Sequence, residues 1–571
     1  MLQFLPAFIL IFGARFALGN EDTNGAVACE SAVCSQIGLD IMKDNGNAAD
    51  AMVATQLCIG TIAMYSSGIG GGGFVLVRSK EGIYDFIDFR ETAPAAAYER
   101  MFSRQNLTLS VRGGLAAGVP GELRGLKYLH DTYGKKPWKD LFTPSIKLAR
   151  EGFKVSQDLY NDIVVATDGT YEGIGYDNDF FTEDVSWAMD FAPNGTRVGL
   201  GDTMTRKRFA DTLENIAEQG PDAFYTGAIA NATIVAIQQA NGTMTLSDLK
   251  NYAIVNRPIT NFTYHGFKIY SGTAPSSGAV LASIMKIIEG YDMRTPAQLN
   301  FSTHYLDEAM KFAYGQRTLL GDPAFLPNLT EYQLNMYSES TAEEFRSKIE
   351  ADAVLETKDY EPPGDDFDVP DHGTTAVVTA DKSGLSIALT STVNFLFGNT
   401  MMVPEIGVIL NNQMNDFSVF NTSNAFGVED SPANYIAPFK RPLSSIAPVI
   451  VEFPNGKVYV VHACAGGSRI TTEISQHLWH VLDQNLTSAA ALLSPRMYDQ
   501  LYPPEVSLEW VEPDHHMVGY NNQTAAFLKS IGANVTYVGF QSAGQAIRRL
   551  FNGTFEAAAE PRQLASGGYA Y

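Results

Sequence analysis

The chain has little cysteine: Cys29, Cys34, Cys58 and Cys464 are the four in a length of 571 residues. That is too few for a disulfide-built scaffold. No two of them form a CxxC pair, which excludes the common zinc and dithiol motifs. Positive charge is also scarce. Lys and Arg number 40 against 63 Asp and Glu, a formal net charge of −23, so there is no general electrostatic pull toward nucleic acid or anionic lipid. There is no GxSxG nucleophile elbow and no HExxH. The glycine-rich run from Ser67 to Gly73 lacks the GxxxxGK[ST] pattern, and it follows a helical pattern and precedes a strand, the wrong order for a dinucleotide fold. It reads instead as a close-packed backbone crossing. No cofactor is implied, and no metal: His477 and His480 lie one helical turn apart, and such a bare pair is more often core or surface than ligand.

Long apolar runs are missing too, with one exception at the start. Phe4 to Phe12 is apolar, Arg15 interrupts it, and Ala17-Leu18-Gly19 offers a small-residue cleavage site. This reads as a secretory signal peptide. An uncleaved membrane anchor is the rival reading, although the run is short for a span of ~20 residues. Asn-x-Ser/Thr sequons stand at Asn106, Asn194, Asn231, Asn241, Asn261, Asn300, Asn328, Asn421, Asn485, Asn522, Asn534 and Asn552, and they point to a glycoprotein that is secreted or held on the outer face of the plasma membrane.

What is present is an ordinary globular composition, 45% hydrophobic and 18% charged, with length enough for a large core. Residues 25–64 read as two helices, the first stopped at Asp44-Asn45-Gly46 and the second capped by Asn47. Phe74 to Arg78 and Tyr84 to Phe89 read as a strand pair. The region from about 120 to 350 is mostly helical in pattern, with His304 to Leu320 as an example. The stretch from Glu361 to Gly373 is rich in Pro, Gly and Asp and reads as an extended linker. Directly after it, two strand-like runs flank Asp381-Lys382-Ser383-Gly384 and read as a β-hairpin. Val449 to Phe453 and Val458 to Ala463 are further strands.

Thr374 stands where the linker meets the first strand of the hairpin. A threonine hydroxyl is a poor nucleophile until a base takes its proton. If a cut makes the threonine the first residue of a chain, its own α-amino group can be that base. Such an amine titrates near pH ~7.7–8, so part of it is neutral under physiological conditions.

A wider set of motifs gives this junction its meaning. Asp371-His372-Gly373-Thr374-Thr375, Thr390-Ser391-Thr392-Val393-Asn394, Leu410 to Ser418, Arg441-Pro442-Leu443-Ser444-Ser445 and Ala465-Gly466-Gly467-Ser468-Arg469-Ile470 resemble the small subunit of γ-glutamyltransferases. Phe89 to Pro94, Val119 to Glu122 and Leu320 to Pro323 resemble the large one, so the similarity runs from about 25 to 571 in family order. The resemblance implies an α+β fold, the N-terminal-nucleophile hydrolase αββα four-layer sandwich, assembled from a large and a small subunit of one precursor. The boundaries it implies are 1–19 for the signal or anchor, 20–373 for the large subunit and 374–571 for the small. The implied activity is transfer of the γ-glutamyl group of glutathione and its conjugates to water, an amino acid or a dipeptide. The implied partner is the chain's own second cleavage product, with no nucleic acid.

Carried over by motif, Thr374 is the nucleophile and Thr392 orients it. Arg90, Ser444 and Ser445 hold the substrate α-carboxylate, and Asn394, Gln413 and Asp416 its α-ammonium. Backbone N–H groups of Gly466 and Gly467 form the oxyanion hole. The chemistry suits these types: Arg grips a carboxylate bidentately, Asp accepts from an ammonium, and glycine lets an oxyanion approach the backbone. The resemblance also implies a Cys34–Cys58 disulfide, with a Cys29–Cys464 bond as an open guess. Two positions depart from the family pattern, Ala376 for a frequent histidine and Leu396 for a tyrosine of several animal enzymes. Two rivals remain: an acylase of the same fold acting on another amide, and a secreted binding protein that no longer catalyses.

Overall fold

The computed structural model describes residues 23–103, 106–167, 179–360, 373–420, 431–511, 517–539 and 542–571. The signal segment, the linker from Glu361 to His372, and Asn421 lie outside these. Two sheets form the centre. The first has seven strands, in spatial order Gly567–Ala570, Gly25–Cys29, Gly373–Asp381, Ser386–Asn394, Gly72–Arg78, Tyr84–Asp88 and Val255–Arg257. The second has six: Phe555–Ala558, Ala543–Arg549, Val458–Ala465, Val449–Glu452, Phe267–Gly272 and Ile259–Tyr264. The pairings within both sheets are antiparallel.

The strands of the hairpin are buried on both faces, so they carry apolar or hydroxyl residues at nearly every position rather than an alternating pattern. Ala376, Val378 and Ala380 face the second sheet, in one core with Val449, Val451, Val461 and Ile547. Val377, Ile387 and Leu389 face the opposite way, into a second core with the helices Ala32–Lys43, Ala48–Ile62 and Glu122–Tyr133. The far face of the six-stranded sheet is covered by Gly278–Ile288, Leu299–Arg317 and Ile470–Leu482. The order helix, sheet, sheet, helix is the four-layer α+β sandwich.

Asn47 caps its helix as expected: its side chain accepts from Ala49 and Asp50 N–H, and Asp50 returns a bond to Asn47 N–H. The Cys34–Cys58 disulfide then ties the first two helices together. Cys29 and Cys464 are both free buried thiols, which corrects the guess that they pair. Two further readings need correction. Residues 25–29 form a strand, not the start of a helix, because this five-residue apolar run is inserted between Gly373–Asp381 and Gly567–Ala570; a short apolar run carries no period that separates the two states. The stretch 255–272, inside the mainly helical middle, contributes three strands, two of them an edge hairpin whose faces alternate.

The glycine run is a backbone crossing. A Cβ on Gly71 would lie 2.1 Å from the Thr392 carbonyl oxygen, and one on Gly73 would lie 2.1 Å from that of Thr390. Of the sequon asparagines among the described residues none is buried; Asn106 and Asn300 are half-buried and the rest exposed. No helix among the described residues is long and apolar enough to cross a membrane.

Candidate active site

The hairpin register sets the centre of the site. Thr374 is directly opposite Thr392 across the antiparallel pair, and a bulge follows between Thr392 and Asn394. The Thr374 hydroxyl donates to Thr392 Oγ1 at 3.0 Å. Thr392 Oγ1 also accepts the Asn394 backbone N–H at 2.7 Å and donates to the Gly373 carbonyl oxygen at 2.6 Å. An N–H can only donate and a carbonyl can only accept, so these two partners determine where each hydroxyl proton points.

Arg90 follows the strand Tyr84–Asp88, and its backbone N–H is held by Asp88 at 2.9 Å. Its guanidinium, buried, pairs with the Asp416 carboxylate. Gln413 Nε2 donates to the same carboxylate at 2.6 Å. Burial raises the Asp416 carboxyl above its ordinary range, against the opposing charge of Arg90, the Gln413 bond and the charge of Arg317. Several buried polar atoms nearby have no protein partner: Arg90 Nε, Asn394 Oδ1 and Gln413 Oε1. Thus donors and acceptors of both kinds stand together without one another's company, which suits a zwitterionic guest.

Ser444 and Ser445 are buried in a loop that is fastened on several sides. Ser444 N–H donates to Pro275 O at 2.8 Å, Ser277 Oγ donates to Ser444 O at 2.6 Å, and Thr471 Oγ1 donates to Ser445 O at 2.8 Å. Gly466 and Gly467 form the turn between Val458–Ala465 and the helix Ile470–Leu482, with φ of 131° and 57°. Both values lie where side chains are disfavoured. The sequence-derived residues thus occupy the end of the hairpin, the loops beside it and the turn on the facing sheet; Thr390 Oγ1 bridges the two sheets by donating to Cys464 O at 3.2 Å.

Sequence reasoning missed the residues that hold these loops. Asn411 uses its whole amide: Oδ1 accepts from Gly118 and Gln413 N–H, and Nδ2 donates to Gly70 and Gly118 carbonyls. Asp322 and Arg441, noticed only as parts of motifs, join an ion network. Arg257 reaches Asp88 at 2.9 Å and Asp322 at 3.1 Å, and Arg441 reaches Asp88 at 3.3 Å. That network ties the loop of Ser444 and Ser445 to the strand leading to Arg90. Arg317, in the last turn of its helix, is buried and acts on Asp416 by its charge. Nothing in helical spacing marks an arginine as buried. Of the departures, Ala376 lies in the core between the sheets, and Leu396 lies in the helix-side core.

Similarity to known proteins extends over nearly the whole chain. A family model described as Gamma-glutamyltranspeptidase matches residues 34–569. A glutathione hydrolase proenzyme of Arthroderma benhamiae is 46% identical, covering 95% of this chain and 92% of that protein. A glutathione hydrolase of Aspergillus flavus is 44% identical, covering 97% and 91%. Among solved structures, a cephalosporin acylase from Bacillus halodurans superposes with a TM-score of 0.81 at 23% identity, over 98% of this chain and 99% of that one, a likeness of fold. The gamma-glutamyltranspeptidase of Helicobacter pylori matches with a TM-score of 0.52 at 30% identity, over 57% and 91%.

Proposed function

The chain belongs to the gamma-glutamyltranspeptidase family, and we propose on that premise that Thr374 is its nucleophile, released as a chain terminus by cleavage of the Gly373–Thr374 bond. The activity is that of a glutathione hydrolase and γ-glutamyltransferase with an N-terminal nucleophile. The roles of the individual residues follow from their contacts.

Maturation begins with attack of Thr374 Oγ1 on the Gly373 carbonyl carbon. The Thr374 proton passes to Thr392, and the Thr392 proton passes to the Gly373 oxygen to which it already donates. Collapse of this adduct breaks the C–N bond, frees the Thr374 α-amine and leaves an ester. Water then opens the ester to give a Gly373 carboxylate and a free hydroxyl.

In turnover the same hydroxyl attacks the γ-carbonyl of glutathione, with the new α-amine as base. The oxyanion is met by the N–H groups of Gly466 and Gly467. The leaving amine takes up a proton, and the γ-glutamyl ester is resolved by water or by an acceptor amine. The observation that carries the recognition step is the Arg90–Asp416 pair with its unpartnered neighbours. A glutamyl head group inserts its carboxylate toward Arg90, Ser444 and Ser445. Its ammonium then meets Asp416, Asn394 Oδ1 and Gln413 Oε1, three acceptors for three N–H donors. Retention of both charges favours a γ-glutamyl amide over the substrate of another acylase.

The two cleavage products, 20–373 and 374–571, stay together as a non-covalent pair. The reading is supported by the sheet order, in which Gly25–Cys29 of the first piece sits between two strands of the second. The exposed sequons and the leader-like start support an exported glycoprotein. The test of the activity is release of a chromogenic amine from a γ-glutamyl anilide, with and without a dipeptide acceptor. Release in both conditions, faster with acceptor, is expected. An inert, fully folded protein would favour the binding-protein reading.

A further inference from the structure

Behind the Gly466–Gly467 turn, the strand that enters it and the helix that leaves it are joined by side chains with no part in the mechanism above. His462 on the strand and Glu473 and His477 on the helix are all buried, with ligand-type atoms within 4.8 Å of one another. They are not disposed to hold a metal. The two imidazole rings stack with centroids 4.1 Å apart and planes 15° from parallel. Their in-plane lone pairs run side by side and cannot converge on one ion at ~2.0–2.1 Å from each nitrogen.

Their contacts make a structural link instead. His462 Nδ1 lies 2.9 Å from the Gln545 carbonyl oxygen, and Nε2 lies 2.8 Å from Glu473 Oε2. The carbonyl can only accept. Burial would raise the Glu473 carboxyl, but the charges of His462 and Arg496 more than reverse this and hold it below the ordinary range. His462 thus bridges the Gln545 carbonyl on the neighbouring strand and the Glu473 carboxylate on the helix. Buried ion pairs surround this link. Arg496 contacts Glu560 at 2.7 Å and Glu473 at 3.7 Å, and Arg562 contacts Glu509 at 2.6 Å and Glu560 at 3.0 Å. These three carboxylates and two guanidiniums form one buried ion network beside the strand–helix junction. The other titratable groups packed here are neutral. Burial, then the charge of His462, holds His477 well below the ordinary histidine range; burial brings His480 down to about 4 and pushes the Cys464 thiol up.

We propose that His462 is a positioning residue for the reaction, its imidazole ring clamping the two limbs of the Gly466–Gly467 turn so that the turn's N–H groups point at the forming oxyanion. The proposal rests on the reading of those glycines as the oxyanion hole. Two consecutive glycines have no side chains with which to brace a turn, so its shape depends on the limbs. The clamp holds the entering strand to the helix through Glu473 and to the neighbouring strand through Gln545. That strand makes room for it: a Cβ on Gly544 would fall 2.5 Å from Glu473 Oε1 and 3.0 Å from His462 Cε1. The same junction reaches the substrate site through Thr471, which donates to Ser445 O, and it is tied to the hairpin through Cys464 O, which accepts from Thr390, and to the helix Leu299–Arg317 through Ser468 O, which accepts from Tyr314 at 2.6 Å.

The test compares His462→Gln with the double variant His462→Leu/Glu473→Leu, which removes both ends of the strand–helix hydrogen bond and leaves two carboxylates facing two guanidiniums. Two ligands are measured: a γ-glutamyl anilide, and a boronic acid analogue of the γ-glutamyl group, whose tetrahedral adduct places an oxygen where the oxyanion forms. Both variants should mature with Thr374 at the new terminus. Both should lose about 10- to 100-fold in kcat, less than the full loss of an oxyanion donor, with KM within about threefold because head-group binding is untouched. Boronate affinity should fall by the same factor as kcat. A wild-type kcat in either variant, a loss confined to KM, or a kcat loss with unchanged boronate affinity would overturn the clamp. Unchanged boronate affinity in Gly467→Ala would strike the oxyanion-hole reading itself, and this proposal with it.

Discussion

At the residue scale, the proposed mechanism gives Thr374 two tasks and its neighbour none. Thr374→Ala removes the attacking oxygen and should give a folded, uncut and inactive precursor. Thr374→Ser keeps the oxygen but loses the methyl that restrains χ1, so it should mature slowly and retain reduced activity. Thr375 points to the other side of the strand and should tolerate alanine better in both assays. Gel analysis of cleavage alongside anilide turnover checks the series; a cut, active Thr374→Ala protein would end the assignment. On the proposed binding mode, Asp416→Ala removes a charge-assisted contact to the substrate ammonium worth ~1.5–3 kcal/mol. It should cost about 10- to 150-fold in kcat/KM while leaving maturation intact. Because burial lifts the Asp416 carboxyl, its ionised form is lost at a higher pH than for an ordinary aspartate. The acid limb of kcat/KM should therefore lie above the usual aspartate range, and a limb within that range would contradict the role given to Asp416.

At the scale of elements, the hairpin Gly373–Asp381 and Ser386–Asn394 was legible because a Pro- and Asp-rich linker and a Ser-Gly turn bracket two runs of strand-forming residues. N-terminal sequencing of the smaller fragment should read Thr-Thr-Ala-Val-Val. The two fragments should co-elute under native conditions and separate only in denaturant, because Gly25–Cys29 pairs on both edges with strands from beyond the cut. Separation by mild gel filtration would show that the shared sheet does not hold them. The Cys34–Cys58 bridge closes a separation of 24 residues between two adjoining helices. Replacing both cysteines by serine should cost ~3 kcal/mol in unfolding free energy, read by denaturant titration. The strands at 25–29 and 255–272 were not legible. Their partners are far away in the sequence, and pairing rather than local pattern makes them strands.

At the scale of the whole molecule, three fully buried carboxyls shape the pH dependence of stability. Burial, outweighing their hydrogen bonds and neighbouring charges, pushes Glu30 and Glu91 up to about 8 and Glu122 up to about 7. The unfolded chain releases these protons near pH ~4.3. Between the two values the folded protein holds protons that the unfolded chain has lost, so their contribution is full below the unfolded value and declines as pH rises toward 8. The Tm measured by calorimetry should be lower at pH 8 than at pH 5.5. Glu91→Gln, whose carboxyl oxygens have no protein hydrogen-bond partner, should flatten that decline. A Tm that rises over the same interval, or an equally steep decline in the variant, would refute the account.

The sequence alone determined the local chemistry of this protein. The caps, the disulfide-bearing helices, the linker-to-strand junction at Thr374 and the ordered motifs that resemble one family are encoded within short windows, where residue type and spacing carry the information. Arg90, Asp416, Ser444, Ser445 and the Gly466–Gly467 turn could be named only through the family resemblance those motifs carry, since each alone reads as an ordinary structural residue. What only the tertiary structure decided is how these pieces face one another. The Thr374–Thr392–Gly373 hydrogen-bond chain depends on strand register. The Arg90–Asp416 pair joins segments more than three hundred residues apart in sequence, and the His462–Glu473 clamp needs a strand and a helix folded back on each other. Desolvation is the physical reason. A titratable side chain acquires its partners and its charge state only when the rest of the molecule has removed the water around it.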